Sequence, residues 1–151
     1  MSKLPLHISS GGVVYKKEDD KIFIALLGWF RKWGQLWMFP KETVENSDAN
    51  GRDFEDEETL KNAAWRALKE EMNIEGEIEN YLGSLQEFTT IDKTKKERHI
   101  HYFLFRYKSG DMKHSWEHNA VKWFTIEEIA NLRLKKGEDE IVQKALLKIA
   151  T

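Results

Sequence analysis

Residues 57–74 read EETLKNAAWRALKEEMNI, and the fold turns on how that stretch is placed. With Leu60 at zero on a wheel of about 100° per residue, Ala64 and Leu68 follow at roughly 40° and 80°, and Ala63 and Ala67 fall just to the other side. This stripe of small and branched side chains predicts a helix from Glu57 to Met72 lying close against a sheet. Asn73 stands where a left-handed C-terminal residue belongs, a conformation that Asn tolerates. Glu71 falls inside the apolar stripe and Glu70 on its edge. A carboxylate on an apolar face is costly unless it is paired or metal-bound. Both acids also sit in the last turn, where the helix dipole disfavours them by about 0.3–1 kcal/mol each. Two local rules broken at one spot mark a candidate functional site. Arg66, one turn before Glu70 and two turns after Glu58, can pair with acids on either side.

Outward from that helix the chain alternates strands and helices. Gly11-Gly12 precedes a strand at Val13 to Tyr15, and Ile22 to Leu27 is a second strand whose continuous apolar run suits a buried sheet position. Gly28 to Leu36 reads as a basic, aromatic loop. Trp37-Met38-Phe39 is a short strand ended by Pro40, which has no amide hydrogen for a ladder. Glu45 to Asp56 is polar and reads as an exposed loop. Ile78 to Ile91 and His99 to Tyr107 are two strands joined by a charged turn over 92–96, and Val121 to Phe124 is another. Thr125 and Glu128 have capping-box spacing for a short helix. Glu138 to Ala150 closes the chain as an amphipathic helix with Ile141, Val142, Ala145, Leu146 and Ile149 inward. The expected architecture is α/β (α+β): one mixed sheet between helices, in a single domain over 1–151.

Composition narrows the function classes. With 24 basic against 26 acidic residues the net charge is −2, which argues against a nucleic-acid-coating polycation. Zero cysteines exclude disulfides, thiolate zinc sites and a cysteine nucleophile, and fit a reducing cytoplasm. No apolar run reaches the roughly 18 residues of a membrane span, and Met1 to Pro5 lacks a signal-peptide core. Six Trp residues predict an aromatic-rich surface or pocket.

Clustered carboxylates near the basic loop that starts at Pro40-Lys41 suit a hard divalent cation such as Mg²⁺ or Mn²⁺, which takes oxygen ligands. Such an ion, bridging carboxylates to a polyphosphate, neutralises charge and helps form a hydroxide nucleophile. Lys41 offers a point charge to phosphate. The pattern points to metal-assisted phosphoanhydride hydrolysis.

At these residues the sequence resembles the Nudix hydrolase family, whose helix reads Arg-Glu-U-x-Glu-Glu-x-Gly-U, with U a bulky aliphatic, after an upstream glutamate. Glu58, seven residues, then Arg66 to Ile74 match in register. Pro40-Lys41-Glu42-Thr43-Val44-Glu45, Gly11 to Tyr15 and Trp123-Phe124-x-x-Glu127-Glu128 resemble further family segments. Glu42 replaces the family's loop glycine, Ala67 its first helix glutamate and Asn73 its last glycine, and residues 46–56 are an insertion. A narrower resemblance is to asymmetrical diadenosine tetraphosphate hydrolases, which carry Arg-Ala-x-x-Glu-Glu here and a segment similar to Ser115 to Trp123.

The resemblance implies the Nudix fold and roles for particular residues. Glu70, Glu71 and Glu117 are expected to bind the cation, with Glu70 or Glu71 orienting water. Arg66 and Glu58 hold that constellation, and Lys41 contacts the polyphosphate. Tyr102, His101 and Trp37 are expected beside the nucleotide, whose base stacks on an aromatic face. Strand alternation places His99, His101, Phe103 and Phe105 on one face and Ile100, Tyr102 and Leu104 on the other, and one of the two must be core. The expected substrate is diadenosine tetraphosphate, giving ATP and AMP. An RNA 5′ end (kept open by Arg31-Lys32-Trp33), a nucleoside triphosphate or a nucleotide sugar are alternatives, as is a silent module binding nucleotide or protein.

Overall fold

Gly11 and Gly12 lie within one long strand at the centre of the protein. The computed structural model describes residues 6–150, so the reading of Met1 to Pro5 lies outside it. Strand β1 (Leu6–Glu18) pairs antiparallel with β2 (Lys21–Arg31) through Tyr15↔Ile24. β3 (Gly34–Met38) folds back on β2 in a hairpin that pairs Arg31 with Gly34. The basic segment expected as a loop is thus mostly strand. Only Lys32 and Trp33 form its tip, with Gly34 at φ 137°, and Arg31 stacks on Trp29 at 3.9 Å.

β4 (Lys41–Thr43) lies along the first half of β1, with Ser10 opposite Glu42. The next segment departs from expectation. Residues 45–56 are not an exposed loop throughout: α1 (Asn46–Ala49) forms there, with Asp48 and Ala49 buried against α2 (Glu57–Met72). α2 is capped by Asp56 and ended by Asn73 at φ 58°, ψ 34°, the left-handed residue its sequence predicts.

β5 (Glu75–Ile91) and β6 (Thr94–Ser109) make a long hairpin about Asp92 and Lys93, which both adopt positive φ, and β6 starts earlier than His99. β6 runs parallel to β1 and closes the sheet order β3-β2-β1-β6-β5. β7 (Ala120–Thr125) adds on β2, then come α3 (Ile126–Ile129), with the expected Thr125–Glu128 capping box, and α4 (Glu138–Ile149).

Both sheet faces are core. Val14, Ala25, Leu27, Phe103 and Phe105 pack under Leu60, Ala63, Ala64, Leu68 and Met72 of α2. Val13, Ile24, Leu26, Ile100, Tyr102 and Leu104 pack under Ile141, Val142, Ala145 and Ile149 of α4. Burying each large aliphatic or aromatic side chain contributes about 1.5–3 kcal/mol, which fixes α2 and α4 on opposite faces. The result is a mixed α+β sandwich, as the alternation of elements predicts. No helix among the described residues is long and apolar enough to cross a membrane.

Candidate active site

The wheel places Glu71 on the buried side of α2, and there it is, 5% exposed. What stabilises it is the strand below. The Lys41 main-chain N–H donates to Glu71 Oε2 at 3.2 Å, and the Glu42 carboxyl also contacts it. Burial, with the Glu42 charge alongside and Lys41 only partly offsetting, pushes the Glu71 carboxyl well above the ordinary range. Burial also raises Glu42, Glu70 and Glu117 adding to the effect while Glu71 and Arg66 oppose it. Glu42 and Glu71 therefore meet at the end of α2, with Glu70 and Glu117 near enough for their charges to act there, around a candidate cleft.

Arg66 organises its rim. Its guanidinium donates to Asp48 Oδ2 at 2.9 Å and Oδ1 at 3.3 Å, to the Thr43 carbonyl at 2.7 Å and to Glu70 Oε2 at 3.4 Å. Asp48, buried and paired with Arg66, is not foreseen in the sequence, where 45–56 reads as solvated polypeptide. Glu58 is corrected in turn: it lies 4.0 Å from Lys61 and takes no part in holding Arg66. Two helical turns span about 12 Å at 1.5 Å per residue, beyond the reach of an Arg–Glu contact.

The cleft's far wall is the segment after β6, tied to the end of α2 by Lys113 N–H to Met72 O (3.0 Å) and Asn73 Nδ2 to Asp111 O (2.9 Å). It carries Glu117, exposed, and His118, whose Nε2 stands 3.9 Å from Glu71 Oε1. Burial lowers the His118 pKa to about 4, with Lys41 and His114 contributing, so its imidazole is neutral. Trp116 projects from this wall at 91% exposure.

Four expected substrate contacts are placed elsewhere. Lys41 turns its ammonium inward, 2.6 Å from the Phe39 carbonyl and 3.1 Å from Glu138 Oε2, in a buried ion pair. Tyr102 is fully buried with its hydroxyl on Glu138 Oε2 at 2.5 Å, so no ring face is free for a base. Its hydroxyl pKa is pushed far up by burial, then by Glu138. Trp37 is interior as well, edge-on to Phe30 and Phe124. Both lie inward because the sheet is covered on two faces rather than one. His101 bonds Glu55 at 2.8 Å and lines a cavity of about 380 Å³ with Tyr81, Leu60 and Phe103. That cavity flanks the start of α2, about 20 Å along the helix from Glu71 at 1.5 Å per residue.

Gly11 explains how β4 comes so close. A Cβ there would meet the Pro40 carbonyl oxygen at 1.9 Å and Lys41 Cα at 2.8 Å. The side chains around Glu71 offer oxygen donors with two carboxyls in contact, a set that suits a hard divalent cation. Among the described residues no three acids or histidines already stand at ligand spacing.

A protein-family comparison matches the NUDIX domain to residues 5–145. Among curated proteins the chain is 27% identical over 148 residues to a Mycobacterium tuberculosis protein carrying the provisional name mutator protein MutT4, covering 90% of this chain. The chain spans 56% of that protein's length. Among solved structures it is similar to a Caenorhabditis elegans Ap4A hydrolase binary complex, with TM-score 0.69 and 24% identity over 95% of this chain and 98% of that one. The NUDIX domain of Shewanella oneidensis NrtR complexed with ADP ribose superposes with TM-score 0.68 at 15% identity, covering 99% and 90%. At such identities these structures speak for the fold. The family match over nearly the whole chain, with the acidic end of α2 where the signature requires it, shows that the chain belongs to the NUDIX domain family.

Proposed function

We propose that this NUDIX-family chain, a pyrophosphohydrolase, cleaves a nucleoside polyphosphate by water attack on phosphorus, with diadenosine tetraphosphate giving ATP and AMP as its reaction. The observation that carries this reading is Glu71, held on an apolar helix face against a second carboxyl. That placement is costly in a protein with no cation or proton to receive there. Hydrolases of this family generally use divalent metal ions, and Glu70, Glu71 and Glu117 would hold Mg²⁺ or Mn²⁺. The ion, when bound, supplies charge neutralisation on the polyphosphate and a lowered pKa for water.

The chain's own residues do the rest. Arg66 orients Glu70 and joins β4 to α2 through Thr43 and Asp48. The Lys41 N–H fixes the Glu71 carboxyl. Trp116, beside Glu117 and almost wholly in water, offers the stacking face that Tyr102 and Trp37 do not. The choice of diadenosine tetraphosphate rests on the resemblance of Ser115 to Trp123 and agrees with the likeness to an Ap4A hydrolase fold. The protein is read as one cytoplasmic domain over 1–151, in keeping with its lack of cysteine.

One observation favours a second reading, a nucleotide-binding module without turnover: the Lys41 ammonium is committed to Glu138 instead of facing the cleft. Incubation with Mg²⁺ and a panel of dinucleoside polyphosphates, nucleoside triphosphates, nucleotide sugars and capped RNA ends separates the two. Cleavage of diadenosine tetraphosphate ahead of the rest, abolished in Glu71→Gln, supports the enzyme. Binding without product across the panel supports the module.

A further inference from the structure

Glu42 is the residue that the helix does not explain. α2 brings two carboxyls, Glu70 and Glu71, to the cleft, while Ala67 is a fully buried methyl. A magnesium-like cation is octahedral and prefers oxygen, so two helix carboxyls leave it to draw on other elements. β4 provides one. Glu42 lies opposite Ser10, and directly opposed residues of an antiparallel pair share a face. Ser10 Oγ donates to the Leu60 carbonyl of α2, so that face is the one α2 covers. Glu42 Oε2 is 3.8 Å from Arg66 Nη1, the nitrogen that also stands 3.4 Å from Glu70 Oε2. Its carboxyl contacts Glu71 itself.

A separate sign comes from the opposite wall. The His118 side chain is only 10% exposed, its Nδ1 has no hydrogen-bond partner among the described residues, and Nε2 is too far from Glu71 to bond. Buried polar groups are paired in nearly all proteins. A buried Nδ1 left without a partner, on an imidazole beside Glu71, marks a cleft built around a ligand.

We infer that Glu42 is a further protein carboxylate for the divalent cation, beside Glu70, Glu71 and Glu117, contributed by β4 rather than by the helix. The inference rests on the metal-dependent reading above. Glu42 thereby makes the ion's site span two elements, so that metal binding ties β4 to α2.

Mn²⁺ binding to the full chain, followed by electron paramagnetic resonance, tests it with wild type, Glu71→Gln, Glu42→Gln and Glu42→Asp. Wild type binds, Glu71→Gln loses most of the affinity, and Glu42→Gln weakens it by about tenfold or more. Glu42→Asp, which keeps the charge on a shorter arm, recovers part of that loss. Melting each protein with and without Mn²⁺ gives a second readout. Metal-free Glu42→Gln melts at or above wild type, since a crowded carboxyl is gone, but gains less from added Mn²⁺. Affinity and Mn²⁺-induced stabilisation equal to wild type in both Glu42 variants, alongside loss in Glu71→Gln, overturns the role of Glu42 and leaves the metal-dependent reading standing. No Mn²⁺ binding by wild type overturns that reading first.

Discussion

Lys41 Nζ and Glu138 Oε2 stand 3.1 Å apart with side chains 8% and 0% exposed, a buried ion pair joining β4 to the first turn of α4. Glu138 also accepts from the Phe39 N–H at 3.0 Å and from the Tyr102 hydroxyl. Removing one charge leaves the other buried and unpaired, at a cost of about 3–5 kcal/mol. Lys41→Met therefore destabilises by about that much in urea titrations. Lys41→Met with Glu138→Gln recovers a good part of the loss. A single variant as stable as wild type contradicts the buried pairing.

The Asp48–Arg66 pair ties α1 to α2. Asp48→Asn keeps the shape but removes the charge from a two-oxygen contact, which costs about 1–3 kcal/mol. Arg66 is then left to the Thr43 carbonyl at 2.7 Å and to Glu45, Glu70 and Glu42, all three within 3.8 Å of Nη1. Denaturation should show the loss, and turnover should fall along with it. If stability drops while turnover is untouched, Arg66 does not depend on Asp48 for its function.

Gly11→Ala adds one methyl where Pro40 O is 1.9 Å away. β4 must move, and the Lys41 N–H leaves Glu71. A misplacement near 1 Å at a catalytic group costs about 100-fold in rate, so kcat should fall far more than the melting temperature does. Wild-type turnover in this variant would show that the β4–α2 separation is not critical.

Acid stability depends in part on Glu87, remote from the cleft. Burial raises its pKa, but Lys135 Nζ at 2.7 Å and Arg98 Nη1 at 3.3 Å outweigh that and hold it below the ordinary value. A folded-state pKa below the unfolded one contributes stability in full above the unfolded value, near about 4.3 for Glu, and loses it as pH falls through the folded value. Glu87→Gln should flatten the acid limb of the stability curve below about pH 5 and lower stability near neutrality. An acid limb as steep as wild type's rules Glu87 out as a contributor.

How much of this was legible beforehand divides along sequence distance. The helix over 57–72, its Asn73 end, the Thr125 cap and the burial of Glu71 all follow from residues within a few turns of each other, where periodicity and capping chemistry decide. Lys41 reads as a phosphate contact until Glu138 is known to lie beside it, and no local pattern announces that meeting. Asp48 was missed for the same reason, its partner being on another element. The resemblance sets Tyr102 and Trp37 beside the nucleotide, and alternation leaves open which face of β6 is core; helices cover both faces, so both side chains are interior. Glu70, Glu71 and Arg66 are thus legible within their own helix, while Asp48 and the Lys41–Glu138 pair depend on contacts between elements distant in sequence.

The parallel ladder from Leu6↔Glu97 to Tyr15↔Arg106 makes the two middle strands strangers in sequence. A nascent chain that has emerged as far as α2 has made every acid of that helix but lacks the strand that completes the floor beneath it. Phe103 and Phe105, which α2 packs upon, come last. Non-local pairing of this kind slows folding and leaves apolar surface bare in the interval. Chains released before β6 should therefore be prey for chaperones and proteases.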